Sequence, residues 1–457
     1  MNTLIAIGGL AVLVLIAEII NLRKLIVPMT VIGLLAILGL SLTNLGVEEA
    51  FFNNMIIVNT FSTMFSALFI VLTTFLVALS GDFYQKEYTK ISDYVSLKLF
   101  LLMGAVSMVS FGNMAMFFLG LEILSISLYI LAGSDRKNIK SNEAGMKYFL
   151  LGSFASGVVL FGIALIYGAT ASFDLGVIFK MAVNGGIPGW YQLGVLMMVI
   201  GMLFKIAAVP FHFWAPDVYQ GAPSLTTALM STLAKVVAVA TLFKLSIALT
   251  YTMPAVYTSV LVIIAIATMT VGNIMALRQD NIKRLLAYSG ISHAGFMMMA
   301  LVNLAGSEAS LFYYAAAYSI AGIAAFSVVI SVTKNKSDEL ISNFNGLGKS
   351  NPVMAVILSI ALLSMGGIPI FAGFFGKFFL FSQALDKGFL TLVIFGVINS
   401  IISVYYYLKV ILAMYTKELD EASNEVQIPV LYKIVGLTAV VINIVMGIFP
   451  SVLLDLF

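Results

Sequence analysis

The strongest constraint in this sequence is its succession of long apolar runs. Fourteen follow one another, at 4–20, 25–43, 59–80, 94–111, 114–133, 146–168, 190–218, 225–249, 253–277, 283–304, 310–332, 352–385, 389–415 and 432–457. A helix needs about 20 mostly apolar residues to cross a hydrocarbon core, and in lipid its backbone polar groups must pair within the segment. The runs therefore predict an all-α polytopic membrane protein of about 14 transmembrane helices. No polar stretch between them is long enough for a separate globular domain. Charged residues make up 10% of the chain, against about 25% in an ordinary soluble domain. That is too little to coat a surface facing water, and it excludes a soluble enzyme, a disordered chain and a nucleic-acid binder. Cysteine is absent, which excludes disulfide scaffolds, iron–sulfur ligation and thiol zinc sites.

The positions of the charges predict orientation. The loops after runs 1, 3, 5, 7, 9, 11 and 13 hold sixteen basic residues: Arg23, Lys24, Lys86, Lys90, Lys98, Arg136, Lys137, Lys140, Arg278, Lys283, Arg284, Lys334, Lys336, Lys349, Lys417 and Lys433. The opposite face has Lys180 and Lys387, with Glu48, Glu49 and Glu308. Basic loops stay in the cytoplasm, so both termini are expected on the periplasmic or outer side of a bacterial inner membrane. The first run lacks a basic leader or a small-residue cleavage site. It reads as a span rather than a removable signal.

Six lysines remain inside the runs: Lys147, Lys205, Lys235, Lys244, Lys377 and Lys409. Glu122 is the one carboxylate clearly at mid-span. A charge at mid-helix costs about 2.5–3.5 kcal/mol on insertion scales, so each needs a reason. Lys244 and Lys409 lie within two turns of a helix end, where a lysine can reach the headgroups. Lys147 is close to the start of its run, and both readings stay open there. Lys205 and Lys235 have long apolar flanks on both sides and need an anionic partner, a water-filled cavity or a neutral amine. Glu122 is the mid-membrane carboxylate available to either. Burial disfavours the charged amine and a nearby carboxylate favours it, so changing their separation would load or unload a proton. A static ion pair joining helices is the alternative.

Two overlong runs carry internal prolines. Pro210 removes the helical partner of the Ile206 carbonyl, one residue beyond Lys205, and Pro369 does the same for Met365 after Gly366 and Gly367. Broken helices at membrane depth are tolerated where they face protein or a cavity, and a matched pair points to inverted repeats. The breaks are five runs apart, an odd number, so two five-helix repeats must insert in opposite senses. The expected division is 1–93, 94–250, 253–415 and 432–457, all within one membrane domain. His212 follows the first break, and His293 sits mid-helix beside small and hydroxyl residues. Each is a candidate proton relay, or else a hydrogen-bonded structural group. Two histidines and one central carboxylate make a metal site improbable. GLGKS at 346–350 lacks the first glycine of a phosphate loop, since position 343 is Asn343, and reads as a turn. Gly152 with Ser156, and Ser153 with Gly157, are small-residue steps suited to close helix packing.

Several motifs carry a resemblance. GLEILSISLYILAG (120–133), EAGMKYFLLGSFASGVVLFGIALIYGAT (143–170), PFHFWAPDVYQGAP (210–223), RQDNIKRLLAYSGISHAGF (278–296) and GLGKSNPVMA (346–355) closely resemble the antiporter-like membrane subunits of respiratory complex I. The APDVYQGAP form, and a chain that ends after the last run, are most like the N-type branch of that family. The resemblance implies two inverted five-helix repeats, each with a broken helix, and a role coupling electron transfer from NADH to quinone with proton pumping. By matched position it assigns Glu122, Lys205, Lys235 and Lys377 to proton translocation. Lys147 and His212 also fall on matched positions. It implies no cofactor in this chain. NADH, flavin and iron–sulfur clusters would belong to partner subunits, and the neighbours would be other antiporter-like and small membrane subunits. A multisubunit Na⁺/H⁺ antiporter, a membrane-bound hydrogenase complex and a passive scaffold are the competing readings.

Overall fold

The computed structural model describes residues 1–84, 91–250, 253, 255–334, 336, 338–418 and 428–457. Lys86 and Lys90, counted above among the basic loop residues, lie outside them. Among the described residues, 12 helices are long and apolar enough to cross a membrane. They follow the apolar runs to within a few residues at most ends, and side-chain caps account for several starts. Asn59 accepts from the Ser62 amide at 2.9 Å, with Ser62 returning the bond to the Asn59 amide. Asn113, Asn138 and Asn281 cap the helices Met114–Ala132, Ile139–Thr170 and Ile282–Met297 in the same manner. An asparagine before an apolar run supplies an acceptor for amides that have no helical partner.

The two proline-bearing runs are each broken. The first is Trp190–Ile206 followed by Trp214–Gly221, and the second is Pro352–Gly366 followed by Ala372–Asp386. Ala207 and Gly367 turn left-handed at φ 59° and φ 85° to end the leading halves. The first break is closed by side chains. The Trp214 indole donates to the Phe204 carbonyl at 3.1 Å, and the Val209 amide donates to Thr268 Oγ1 at 3.0 Å. At the second break the Gly373 amide donates to Ser364 Oγ at 3.2 Å. Both sets of freed groups face protein, as a low-dielectric setting demands.

Several features were not anticipated. A two-stranded hairpin, Glu49–Phe51 with Ile56–Val58, joins the second and third helices, its turn made by left-handed Phe52, Asn53 and Asn54. A short helix, Leu175–Asn184, is capped by Asp174. A π-turn at Met230–Ala234 interrupts the helical stretch Ser224–Leu249. The last run stops at Ile448, and a separate short turn, Ser451–Leu454, follows Pro450. Lys98, assigned above to a loop, is instead inside the helix Ile91–Ser110 and 1% exposed. Its Nζ reaches the Tyr94 carbonyl at 3.3 Å and lies 4.8 Å from the Tyr84 ring centre. Lys283 is likewise a buried helical residue.

The helix Glu308–Thr333 is buried along its membrane-length window and forms the central pillar of the bundle. Asn2–Ile19, Arg23–Leu42, Ile139–Thr170, Ala255–Leu277 and Leu390–Thr416 are the most exposed, and present Val12, Ile32, Phe154, Ile263 and Ile401 outward. An apolar exterior is what lipid requires. Tight helix contact uses small residues. A Cβ on Gly162 would stand 2.7 Å from the Gly194 carbonyl, and one on Gly194 would stand 2.8 Å from the Gly162 carbonyl. Of the two small-residue steps read from the sequence, Gly152 and Ser156 face the interior while Ser153 and Gly157 face outward.

Candidate functional site

Lys205 occupies the last turn before the first break, at the C-terminal end of Trp190–Ile206. Its Nζ bonds Ser125 Oγ at 2.8 Å and the Tyr129 hydroxyl at 3.1 Å. Both lie on Met114–Ala132, the helix that carries Glu122. Residues 122, 125 and 129 are three and four apart, so they share one helical face. Glu122 and Lys205 do not form an ion pair within 4 Å, and Glu122 Oε1 is buried with no hydrogen-bond partner. The static Glu122–Lys205 pair is therefore not what the geometry contains. The lysine rests on hydroxyls of the helix that carries the carboxylate.

Lys235 follows the π-turn directly and is 2% exposed. Its Nζ has no acceptor within hydrogen-bond reach, and the nearest ring is Tyr219, 5.8 Å away. A π-turn widens the helix and displaces carbonyls from the regular ladder. Two phenols take them up: Tyr219 donates to the Met230 carbonyl at 3.1 Å, and Tyr318 donates to the Ser231 carbonyl at 3.0 Å.

His293 is buried in Ile282–Met297 and has both ring nitrogens engaged. Nδ1 is 2.7 Å from the Tyr314 hydroxyl and Nε2 is 3.1 Å from the Tyr407 hydroxyl, which also bonds Ser289. A neutral imidazole carries one proton, so one phenol donates to it while the other accepts. Passing a proton through the ring exchanges those roles. Lys377 is buried after the second break, donates to the Gly366 carbonyl at 3.1 Å and lies 4.9 Å from the Phe296 ring centre.

The remaining sequence candidates lie apart from these groups. His212 is in the first break, with Nδ1 buried and unpartnered and its ring against Phe213 at 4.2 Å. No hydrogen bond joins it to Lys205 or Lys235. Lys147 is partly exposed and paired with Glu143 at 2.6 Å and Asp217 at 3.4 Å, while Arg284 holds Asp217 at 2.6 Å. This is a charged mouth beside the half-helix Trp214–Gly221. Lys244 reaches the Val109 carbonyl at 2.7 Å, and Lys409 pairs with Asp280 at 2.9 Å. Among the described residues no group of three metal-ligating side chains converges.

Sequence reasoning missed the hydroxyl partners Ser125, Tyr129, Tyr314, Tyr318, Tyr407 and Ser289. It also missed the role of Lys283, which lines a cavity of about 430 Å³ with Lys140, Lys334 and Ser224. Its Nζ donates to the Ala222 carbonyl at 2.7 Å and pairs with Glu339 at 3.1 Å. Glu339→Gln would leave this buried amine without a counter-charge. The expected loss is about 3 kcal/mol, read as a lower melting temperature of the detergent-solubilised complex. An unchanged melting temperature would mean that water in the cavity already solvates Lys283.

The pattern of the NADH:quinone oxidoreductase/Mrp antiporter transmembrane family matches residues 112–403. NADH-quinone oxidoreductase subunit N of Flavobacterium johnsoniae is 60% identical over 464 residues, covering 100% of both chains. A chain of respiratory complex I from Thermus thermophilus, solved with bound aureothin, matches with a TM-score of 0.86 at 29% identity, covering 99% of this chain and 98% of that one. A chain of the membrane-bound sulfane sulfur reductase, an archaeal respiratory membrane complex, matches at 0.88 and 27% identity, covering 99% and 95%.

Proposed function

The chain belongs to the NADH:quinone oxidoreductase/Mrp antiporter transmembrane family, and from that premise we propose that it is the N-type, proton-translocating membrane subunit of a bacterial NADH:quinone oxidoreductase. It works within a translocase that couples electron transfer from NADH to quinone with proton pumping. The observation that carries the reading is that Lys235 and Lys377 are buried, and Lys205 half-buried, with only neutral hydrogen-bond partners or none. A scaffold has no use for buried amines outside ion pairs, because each costs stability. A proton carrier does, because a lysine without a fixed counter-charge is free to change protonation state.

Protons enter from the cytoplasm near Lys147, Lys205 and His212, pass Lys235 and His293 along the midplane, and leave by Lys377. Glu122 biases Lys205 through space and couples it to a neighbouring membrane subunit. Twelve membrane-length helices among the described residues, with each broken run taken as one further crossing, support fourteen, and the basic loops read from the sequence support both termini on the outer side. The matched breaks, each ended by a left-handed residue and each beside a lysine, support repeats at 94–250 and 253–415. NADH, flavin and iron–sulfur clusters belong to partner subunits, in keeping with a chain that has no cysteine. The site of action is the bacterial inner membrane.

Glu122→Gln tests this while preserving volume. Removing a through-space interaction of about 2 kcal/mol should lower NADH-driven acidification of inverted vesicles about thirtyfold with the complex fully assembled. Wild-type pumping in that variant would overturn the role given to Glu122. Acidification that required a Na⁺ gradient instead of NADH would favour the Na⁺/H⁺ antiporter.

A further inference from the structure

The Tyr407 hydroxyl meets His293 only if the helix Leu390–Thr416 stands at the right height, yet that helix has just 33% of its membrane-length window inside the protein. A slide of one residue along the axis moves a side chain about 1.5 Å. That is enough to carry the 3.1 Å contact with His293 Nε2 beyond hydrogen-bond reach. A seam of polar side chains outside the proton route fixes the height. Asn273, on Ala255–Leu277, donates to the Asn399 carbonyl at 2.9 Å and to Asn399 Oδ1 at 3.0 Å. Asn399 Nδ2 donates to Thr270 Oγ1 at 3.1 Å, and the Tyr406 hydroxyl donates to Asn273 Oδ1 at 3.0 Å. Asn273, Asn399 and Tyr406 are all buried.

We propose that Asn273 is a positioning residue, which through Tyr406 sets the Tyr407 hydroxyl at His293. The inference rests on the reading of His293 as a proton-carrying group. The contacts close a circuit whose links within each helix are one residue long. Gly272, beside Asn273, lets Ala255–Leu277 press onto the helix of His293. A Cβ there would stand 2.6 Å from the Ser292 amide nitrogen and 2.9 Å from the Tyr288 carbonyl, and one on Gly295 would stand 2.7 Å from the Met269 amide nitrogen. Ser292 adjoins His293, so Ala255–Leu277 is braced by bare backbone against the imidazole's own helix. On its other side Asn273 holds Tyr406, Tyr406 adjoins Tyr407, and Tyr407 bonds His293 and Ser289. An amide suits this place because it donates and accepts at once. Its Nδ2 holds Asn399 while its Oδ1 holds Tyr406, and a leucine of similar volume would hold neither.

The test uses the assembled complex in inverted vesicles and reads protons moved per NADH oxidised. Tyr406→Phe keeps the ring, removes its bond to Asn273, and should lower that ratio about fivefold, because small misplacements of a reacting group cost rate steeply. Asn273→Leu should fall at least as far. Tyr407→Phe, which removes the positioned hydroxyl itself, should also fall at least about fivefold. The deciding readout is the double variant of Tyr406→Phe with Tyr407→Phe. If Tyr406 acts through Tyr407, the double variant pumps like Tyr407→Phe alone, whereas a merely structural role multiplies the two losses. Wild-type pumping in Tyr406→Phe, or multiplied losses, overturns the proposal. If Asn273→Leu fails to assemble, Tyr406→Phe and the double variant decide. Tyr407→Phe is the reference: if it pumps normally, the reading of His293 as a carrier falls and the proposal with it. If it is impaired while Tyr406→Phe and Asn273→Leu pump normally, only the positioning role falls.

Discussion

Lys235→Ala is expected to abolish proton pumping, by at least about a hundredfold, in a complex that still assembles. Both halves of that expectation come from the same geometry. The Lys235 amine accepts and donates no protein hydrogen bond, so its removal orphans no buried partner. The structural cost is that of a large-to-small core change, about 2–5 kcal/mol, and Lys235→Met would reduce it further by filling the volume. The functional cost is larger, because Lys235 is a buried amine on the proposed route whose proton no protein hydrogen bond holds. Lys235→Arg sharpens the test. Guanidinium keeps the positive charge but does not release a proton under physiological conditions. If Lys235 acts by exchanging protons, arginine should fail as alanine does. If it acts as a fixed charge, arginine should pump. NADH-driven acidification and quinone reduction measured on the same vesicles separate the two.

Much of this was legible in the sequence because charge is so scarce in it. A lysine or glutamate in a run of leucines, isoleucines and phenylalanines identifies itself, so Glu122, Lys205 and Lys235 stood out before any contact was known. Pro210 and Pro369 likewise announced the broken helices. The hydroxyl partners did not stand out, because serine and tyrosine are ordinary helix residues whose role depends on what crosses them. Tyr314 and Tyr407 matter because their helices bring both to one imidazole, and no spacing within a single helix reveals that. Lys98 and Lys283 were misplaced for another reason. Both lie within about a turn of the start of their apolar runs, 94–111 and 283–304, where a basic residue reads as the end of the preceding loop. The π-turn before Lys235 has no composition signal, since MSTLA reads as regular helix.

Gly447→Val should give the largest loss of stability, through the second helix break. Gly447 lies near the end of Val430–Ile448, and a Cβ there would collide with the Ile370 carbonyl, with the Phe371 carbonyl carbon and Ala372 amide at 2.8 Å and 2.9 Å behind it. Gly373 is similarly placed against the Ser364 carbonyl. Ile370 itself has φ 86°, a region that a β-branched residue rarely enters. The last helix therefore presses bare backbone onto a strained turn, and neither side can retreat by rotating a side chain. Overpacking a core typically costs about 1–3 kcal/mol, and a branched residue driven against backbone belongs at or above the top of that range. The expected result is a sharply reduced amount of assembled complex and a lower melting temperature, with Gly447→Ala intermediate. Normal assembly of Gly447→Val would mean that the break is held by its own hydrogen bonds, without the last helix. Its position beside Lys377 would then be set by the halves Pro352–Gly366 and Ala372–Asp386 alone.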